Sequence, residues 1–370
     1  MKAFRYVALA CSAGAALALA GAGSGARAAY TSAKLIVGSP PALGAKGTTA
    51  IKVTLAPLDD PTAKVTFFAP KEFTADLTAA PGSNIGAVDA KVQAADLGGA
   101  TLPLSGPVQA RAADGTYLSA GAPVPIAAAA TACTGTATHS AFWVLVLAAA
   151  GQTLEVPVFV DTTSGPEAQI GSTKIQVCLP PPDLPPGTPG RAAFGAKLFE
   201  ATLALRNVFT NAGAPGLYPW IGIFTPYNPG VGTVNAAGTV LAAGIVPLPV
   251  VLTFKARFDK KKSAAILSGR LTAAGNPAPG QRVQILAGTS ARTLKVVGST
   301  RTTGTGTFSA TRRVTRTTFF AVRITSGAVD VTAQFCAQLP PIAPAGCVSA
   351  TVAGGSFQST AIKVTVPKKK

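Results

Sequence analysis

The run Phe142-Trp143-Val144-Leu145-Val146-Leu147 constrains this chain most. It is bulky and β-prone. Ala150-Gly151-Gln152 interrupts it, and Leu154-Glu155-Val156-Pro157-Val158-Phe159-Val160 answers it. Two such runs around a glycine turn predict a hairpin over residues 141–160. The same pattern recurs on both sides. Residues 34–37 are short and apolar, 51–55 alternate with period two, and 64–68 and 173–178 form further β-prone runs. Residues 75–125, rich in Gly, Pro and Ala, predict short strands and long loops. Six prolines in 180–189 mark a loop that either separates two subdomains or caps one sheet.

Two stretches allow competing readings. Leu198, Leu205 and Phe209 suit one face of a helix, whereas Leu203, Leu205 and Phe209 suit alternation. The glycine- and proline-bearing turn at 211–216 and the β-prone 217–224 favour a long hairpin there. Residues 236–254 carry 19 positions without a charge, close to the ~20 that span a bilayer. Pro247 and Pro249 fit a bent strand entry better than a helix, so two buried strands are expected. Nearly every element reads as strand, and the chain is predicted all-β, as tandem β-sandwiches. Aromatic residues make up 6% of it and charged ones 12%, which predicts small, thin cores between sheets.

The first residues predict the destination. Lys2 and Arg5 precede an uncharged Ala-, Leu- and Gly-rich run, and Ala26-Arg27-Ala28 offers a small-residue cleavage site. This is the pattern of a secretory signal peptide over 1–28, with the mature chain of about 340 residues starting at Ala29, secreted or at the cell surface. Cys11 follows too short an apolar run for a lipid anchor. Four cysteines remain: Cys133, Cys178, Cys336 and Cys347. In an exported chain they favour disulfides. Sequence alone allows three pairings, and the chain-order set, Cys133–Cys178 with Cys336–Cys347, crosses least. With one histidine and no C-x-x-C pair, no metal or other cofactor is expected.

The net charge of +18 is uneven. Residues 1–248 hold 14 Lys/Arg and 12 Asp/Glu, and residues 249–370 hold 18 and 2. Lys260, Lys261, Lys262, Arg312, Arg313, Arg316, Lys368, Lys369 and Lys370 are the prominent groups. A segment this cationic is drawn to polyanions such as an anionic cell-envelope polymer or extracellular polysaccharide, unless it serves only as a solvated basic surface. No specific nucleic-acid motif and no transmembrane anchor is expected. The organisation predicted is a signal peptide (1–28), a β-rich region (29–247, one or two sandwiches, with a split near 125–130) and a basic domain (248–370).

The segment 264–323 carries Leu267-Ser268-Gly269-Arg270-Leu271-Thr272, then Gly275-Asn276-Pro277-Ala278-Pro279-Gly280 feeding Gln281 to Ile285. Residues 297–308 follow with a strand, a tight glycine turn and an aromatic, and 317–323 form a further strand. This segment resembles the Ig-like or prealbumin-like modules of bacterial exported proteins. The resemblance implies a β-sandwich, a last edge strand at 361–367, and a long excursion that a Cys336–Cys347 bridge would pin. Such modules often carry Asp where Thr303 stands here, which removes the basis for a cation site. They act as spacers, adhesin stalks and accessory modules, so fold is implied more than activity. Residues 217–240 resemble a recurring element of uncharacterised exported actinobacterial proteins.

No catalytic motif emerges. His139 and Ser140 are adjacent, and neighbours on a strand point to opposite faces. His139 reads as a turn residue before the Phe142 strand. Glu155, Asp161, Glu167, Asp183 and Glu200 could serve a secreted hydrolase only if two converged across ~5–10 Å. Asp59-Asp60-Pro61 reads as a turn. Tyr218, Trp220 and Tyr227 offer a glycan-stacking cluster, with a core position for Trp220 as the competing reading. The function expected is therefore a non-catalytic extracellular structural or binding protein. The alternatives are a carbohydrate-binding accessory protein and a hydrolase.

Overall fold

Alternation and cross-strand pairing build one sheet from most of the chain. The computed structural model describes residues 30–31, 33–119, 121–149, 151–324, 328–337, 346–353 and 357–367, without the side chains of 149, 328–337, 346–353 and 357. Residues 1–28, expected to be a signal peptide and including Cys11, and Lys368 to Lys370 lie outside the described residues. The first eleven principal strands are β1 (Lys34–Gly38), β2 (Lys46–Thr54), β3 (Thr62–Ala69), β4 (Asn84–Ala94), β5 (Ala100–Arg111), β6 (Ala141–Ala149), β7 (Gln152–Thr162), β8 (Thr173–Cys178), β9 (Ala196–Thr210), β10 (Gly216–Pro226) and β11 (Val240–Leu248). They pair antiparallel in the order β1-β2-β9-β4-β5-β6-β7-β8-β3-β10-β11. The two ends of this order meet. A Cβ on Gly244 of β11 would stand 3.0 Å from the Leu35 carbonyl oxygen of β1. The sheet is thus a nearly closed barrel, where tandem sandwiches were expected. It runs unbroken across residues 125–130, since β5 pairs directly with β6.

The barrel interior is filled. Ile51, Val53, Val88, Val92, Leu203 and Leu205 point inward, and Trp143, Phe73, Phe209 and Trp220 are fully buried. Lys52 of β2, Glu200 of β9 and Lys91 of β4 form an ion-pair rung on the outside, each contact 3.0 Å. The predicted hairpin is present as β6 and β7. Its unbroken apolar run has a cause. Trp143 enters the barrel, while Phe142, Val144 and Phe159 lie on the outer face under helix α1 (Ile126–Thr134), which packs Ile126 and Ala130 onto them. Both faces are covered, so both alternating positions are apolar.

Three expectations change. Residues 75–125 contain the long strands β4 and β5, whose small residues let backbones approach closely. Residues 196–210 form a strand, but β9 pairs with β2 and β4 rather than with β10. Residues 236–254 give strands, as expected. β11 is buried and ends at a cis Leu248–Pro249 peptide, after which the chain leaves the barrel. No helix among the described residues is long and apolar enough to cross a membrane.

The remaining strands are β12 (Val250–Asp259), β13 (Ala264–Ala273), β14 (Arg282–Gly288), β15 (Lys295–Arg301), β16 (Thr307–Arg313), β17 (Thr318–Ile324), β18 (Ala328–Ala337), β19 (Gly346–Ala353) and β20 (Ile362–Val364). One small sheet pairs β12, β13 and β16, and another pairs β15, β14, β17 and β20. Ala265 and Leu267 from the first share a core with Ile285, Phe320 and Val364 from the second. The glycine turn before Phe308 links β15 to β16 across the two sheets, instead of closing a hairpin within one. The excursion between β17 and β20 is a hairpin, β18–β19. Its β19 adds in parallel to β11 of the barrel, Ala350 beside Ala243. Its register sets Cys336 opposite Cys347, while the sulfur atoms belong to side chains outside the described part.

Candidate functional site

Two polar assemblies stand out, one buried and one exposed. The buried one surrounds His139. Its ring has no exposed surface and sits between Phe142 and Phe159, with centroids 5.5 and 5.2 Å away. Nδ1 lies 2.9 Å from the Asp161 carboxylate and Nε2 3.0 Å from the Thr134 hydroxyl. Nδ1–H donates to Asp161, and Nε2 shares a second hydrogen bond with the Thr134 hydroxyl whose direction follows the tautomer. Beside it Cys133, in the last turn of α1, is disulfide-bonded to Cys178 of β8, with Cα atoms 5.8 Å apart.

A carboxylate, an imidazole and a hydroxyl in this order also make a nucleophilic relay. Here the ring is sealed between two phenyl groups. The hydroxyl turns back 2.8 Å from the Ala130 carbonyl one helical turn earlier. The arrangement clasps the end of α1 to the barrel wall. Below it, Lys174 bridges Glu167 at 2.8 Å and Asp161 at 3.9 Å. Burial pulls the Lys64 ammonium below its ordinary pKa, aided by repulsion from Lys174, and it donates to the Cys133 carbonyl at 3.2 Å.

The other middle-region carboxylates are also engaged. Glu155 accepts from Arg111 at 3.3 Å and from the Leu118 amide at 2.6 Å. Asp183 accepts from the Gly230 amide at 2.6 Å. Hydrogen bonds from Lys91 and Lys52 hold Glu200 below the ordinary glutamate pKa. Glu155, Asp183 and Glu200 are each tied to a different strand or loop partner, while Asp161 and Glu167 meet on Lys174, whose ammonium pairs with both. Among the described residues no three His, Cys, Asp or Glu side chains converge on a metal-sized site.

The glycan-stacking cluster is corrected. Trp220 is 0% exposed and packs edge-on against Phe209 and Phe73, at 5.0 and 6.0 Å between centroids. Tyr218 lies in the same core, its hydroxyl donating to the Ala214 carbonyl. Tyr227 is buried and donates to the Leu179 carbonyl at 2.7 Å. The rings present no open face to a sugar.

The exposed assembly is the basic pair of small sheets. Lys260, Lys261 and Lys262 form the turn between β12 and β13. The Asp259 carboxylate shapes that turn by accepting from the amides of Lys261 and Lys262 at 2.9 and 3.3 Å. Register sets Arg313 opposite Ala264 and Arg312 opposite Ala265, so these cations gather at one end, with exposed Arg316 just beyond. Arg312 departs from expectation. It shares the inward face of Phe308, and its guanidinium lies over Gly298 of β15, where a Cβ would stand 1.9 Å from Nη2. Its Nε is buried without a hydrogen-bond partner among the described residues.

Sequence reasoning missed Lys255, Arg257 and Arg270, which are not neighbours in a charge run. All three are exposed on the outer face of the β12–β13–β16 sheet. The period-two pattern Thr253, Lys255, Arg257 was the available signal. Among the described residues every ion pair lies between residues 46 and 200. The cations of residues 250–324 and Lys363 take part in none. No protein-family model matches the chain, and no curated protein matches it at a significant level.

Proposed function

We propose that this is an exported, non-catalytic binding or spacing protein whose basic, Ig-like C-terminal sandwich holds it to anionic cell-envelope or matrix polymers. The observation that carries the reading is the unpaired charge. Six of the eleven described barrel cations, Lys46, Lys52, Lys91, Arg111, Lys174 and Arg191, pair with carboxylates. No cation of the small sheets has an acidic ion-pair partner among the described residues, and all but the inward Arg312 and the half-buried Arg323 are exposed. Exposed, uncompensated charge of one sign attracts polyanions over a Debye length of about 8–10 Å at ordinary ionic strength. The Cys133–Cys178 disulfide agrees with an oxidising compartment. Export and the second bridge, Cys336–Cys347, belong to the same reading.

The test is fractionation of producing cells into wall, membrane and medium, followed by a salt wash of the wall. The reading expects protein in the wall fraction, released by salt. Recovery entirely in the medium, or wall protein indifferent to salt, overturns it.

A further inference from the structure

We infer that the polyanion lies along the outer face of the β12–β13–β16 sheet, and that it is an extended chain bearing phosphate or sulfate esters on a sugar or polyol backbone. This rests on the attachment reading above and names the surface and chemistry within it. Strand register aligns the face into four rungs. Arg313 stands on the rung of Ala264 and Asp259, whose carboxylate accepts from the Lys261 and Lys262 amides, Arg257 on that of Ile266 and Thr311, Lys255 on that of Ser268 and Ser309, and Arg270 on that of Thr253 and Thr307. Each rung carries one exposed cation. Successive rungs are two residues apart, about 7 Å, so the ladder is about 20 Å long. An extended polymer with one charge per ~7 Å matches that rise.

Short hydroxyl side chains fill the space between the cations. They leave a shallow hollow of about 320 Å³ over Ser268, Ser309 and Thr307, with Lys255 on its rim and Gly269 and the buried, inward-facing Phe308 also in its lining. At its edge the hydroxyls of Thr303, Thr305 and Thr307 form a mutually bonded triangle, 2.8 to 3.2 Å on a side. Such hydroxyls can turn their protons to ester oxygens and also accept from backbone hydroxyl groups of a glycan or polyol. The rungs carry no aromatic ring, which disfavours single-stranded nucleic acid, whose bases need stacking platforms. The tip lysines sit on a turn, without such a lattice.

The test compares two variants of the full chain with matched charge loss. The face variant is K255T/R257T/R270T/R313T, and the tip variant is K260S/K261S/K262S/R316S. Binding to poly(glycerol phosphate), dextran sulfate and single-stranded DNA is measured from 50 to 200 mM salt. Amide exchange over residues 250–324 verifies that both variants stay folded. Four contacts displaced by counterions give a log–log slope of about −3, or roughly a 50-fold loss over that range. The face variant should lose this component and the tip variant should keep it. Binding to only one ester polymer identifies the ester and supports the proposal. Equal losses in both variants, an unaffected face variant, or tighter binding to DNA than to either ester polymer overturns it and leaves general attachment standing. Failure of the unmodified protein to bind any of the three defeats the attachment reading itself.

Discussion

Gly106→Ala tests the barrel where its sequence is least telling. Gly106 lies in β5, opposite Val88 of β4 and next to β6. A Cβ there would stand 1.7 Å from the Val146 carbonyl oxygen and 2.9 Å from its carbon. The obstacle is backbone, so no rotamer relieves it, and β5 must move from β6. Overpacking of this kind costs about 1–3 kcal/mol. Loss of one or two ladder hydrogen bonds adds about 0.5–1.5 kcal/mol each. A total of about 1.5–6 kcal/mol is expected, lowering the melting temperature by roughly 3–24 °C for a barrel of this size. Gly38→Ala is the control. Nothing lies within 4 Å of its Cβ, and its φ is not in the left-handed region. It should be neutral or stabilising by about 0.4–1 kcal/mol through the unfolded chain. The assay is urea unfolding followed by tryptophan fluorescence. Both tryptophans, Trp143 and Trp220, are buried in the barrel, so the signal reports that body. If Gly106→Ala unfolds at the same urea concentration as the control, β5 and β6 do not meet in this register.

The same assay checks three further expectations. Cys133→Ser with Cys178→Ser opens a loop of 45 residues and should cost about 4 kcal/mol by chain entropy; an unchanged midpoint would deny the bridge a structural role. Asp161→Ala leaves the buried His139 Nδ1–H without its acceptor and should cost about 1–3 kcal/mol. A cost below half a kilocalorie would mean the ring is not clasped. Glu200→Gln should cost about 0.5 kcal/mol near neutral pH, since its ion pairs are partly exposed. Its folded pKa is depressed, so its contribution is present above the unfolded value of roughly 4.3 and is lost as pH falls through the folded pKa. The difference between the two proteins must therefore vanish in acid, and a constant difference would refute the linkage.

Strands with large alternating side chains were legible in the sequence. Residues 141–160 and 173–178 announced themselves because one or both faces are buried against bulky neighbours. β4 and β5 did not, because Ala, Gly and Pro fill them. Their length comes from close backbone approach at Gly86 and Gly106, where a Cβ would meet carbonyl oxygens of the adjacent strands. Helix α1 was hidden in an alanine run without charges or a side-chain N-cap, with only Gly135 marking its end. The barrel was not foreseeable, since pairing order is non-local; 217–224 looked like a partner for 196–210, yet the two strands lie apart in the sheet. At the sites, charge runs drew attention to Lys260 to Lys262 and Arg312. The face, by contrast, is made of single cations at period two, which only the register gathers. The aromatic cluster looked exposed because Pro and Gly surround it, yet those residues border the barrel core.

Binding of the full chain to an anionic polymer, set against a neutral polymer of the same backbone across a salt series, tests the central claim most directly. Retention on the anionic polymer alone, falling steeply as salt rises from 50 to 500 mM, on the order of the slope given above, is the predicted result. Equal retention on both polymers, or retention that salt leaves unchanged, would contradict it.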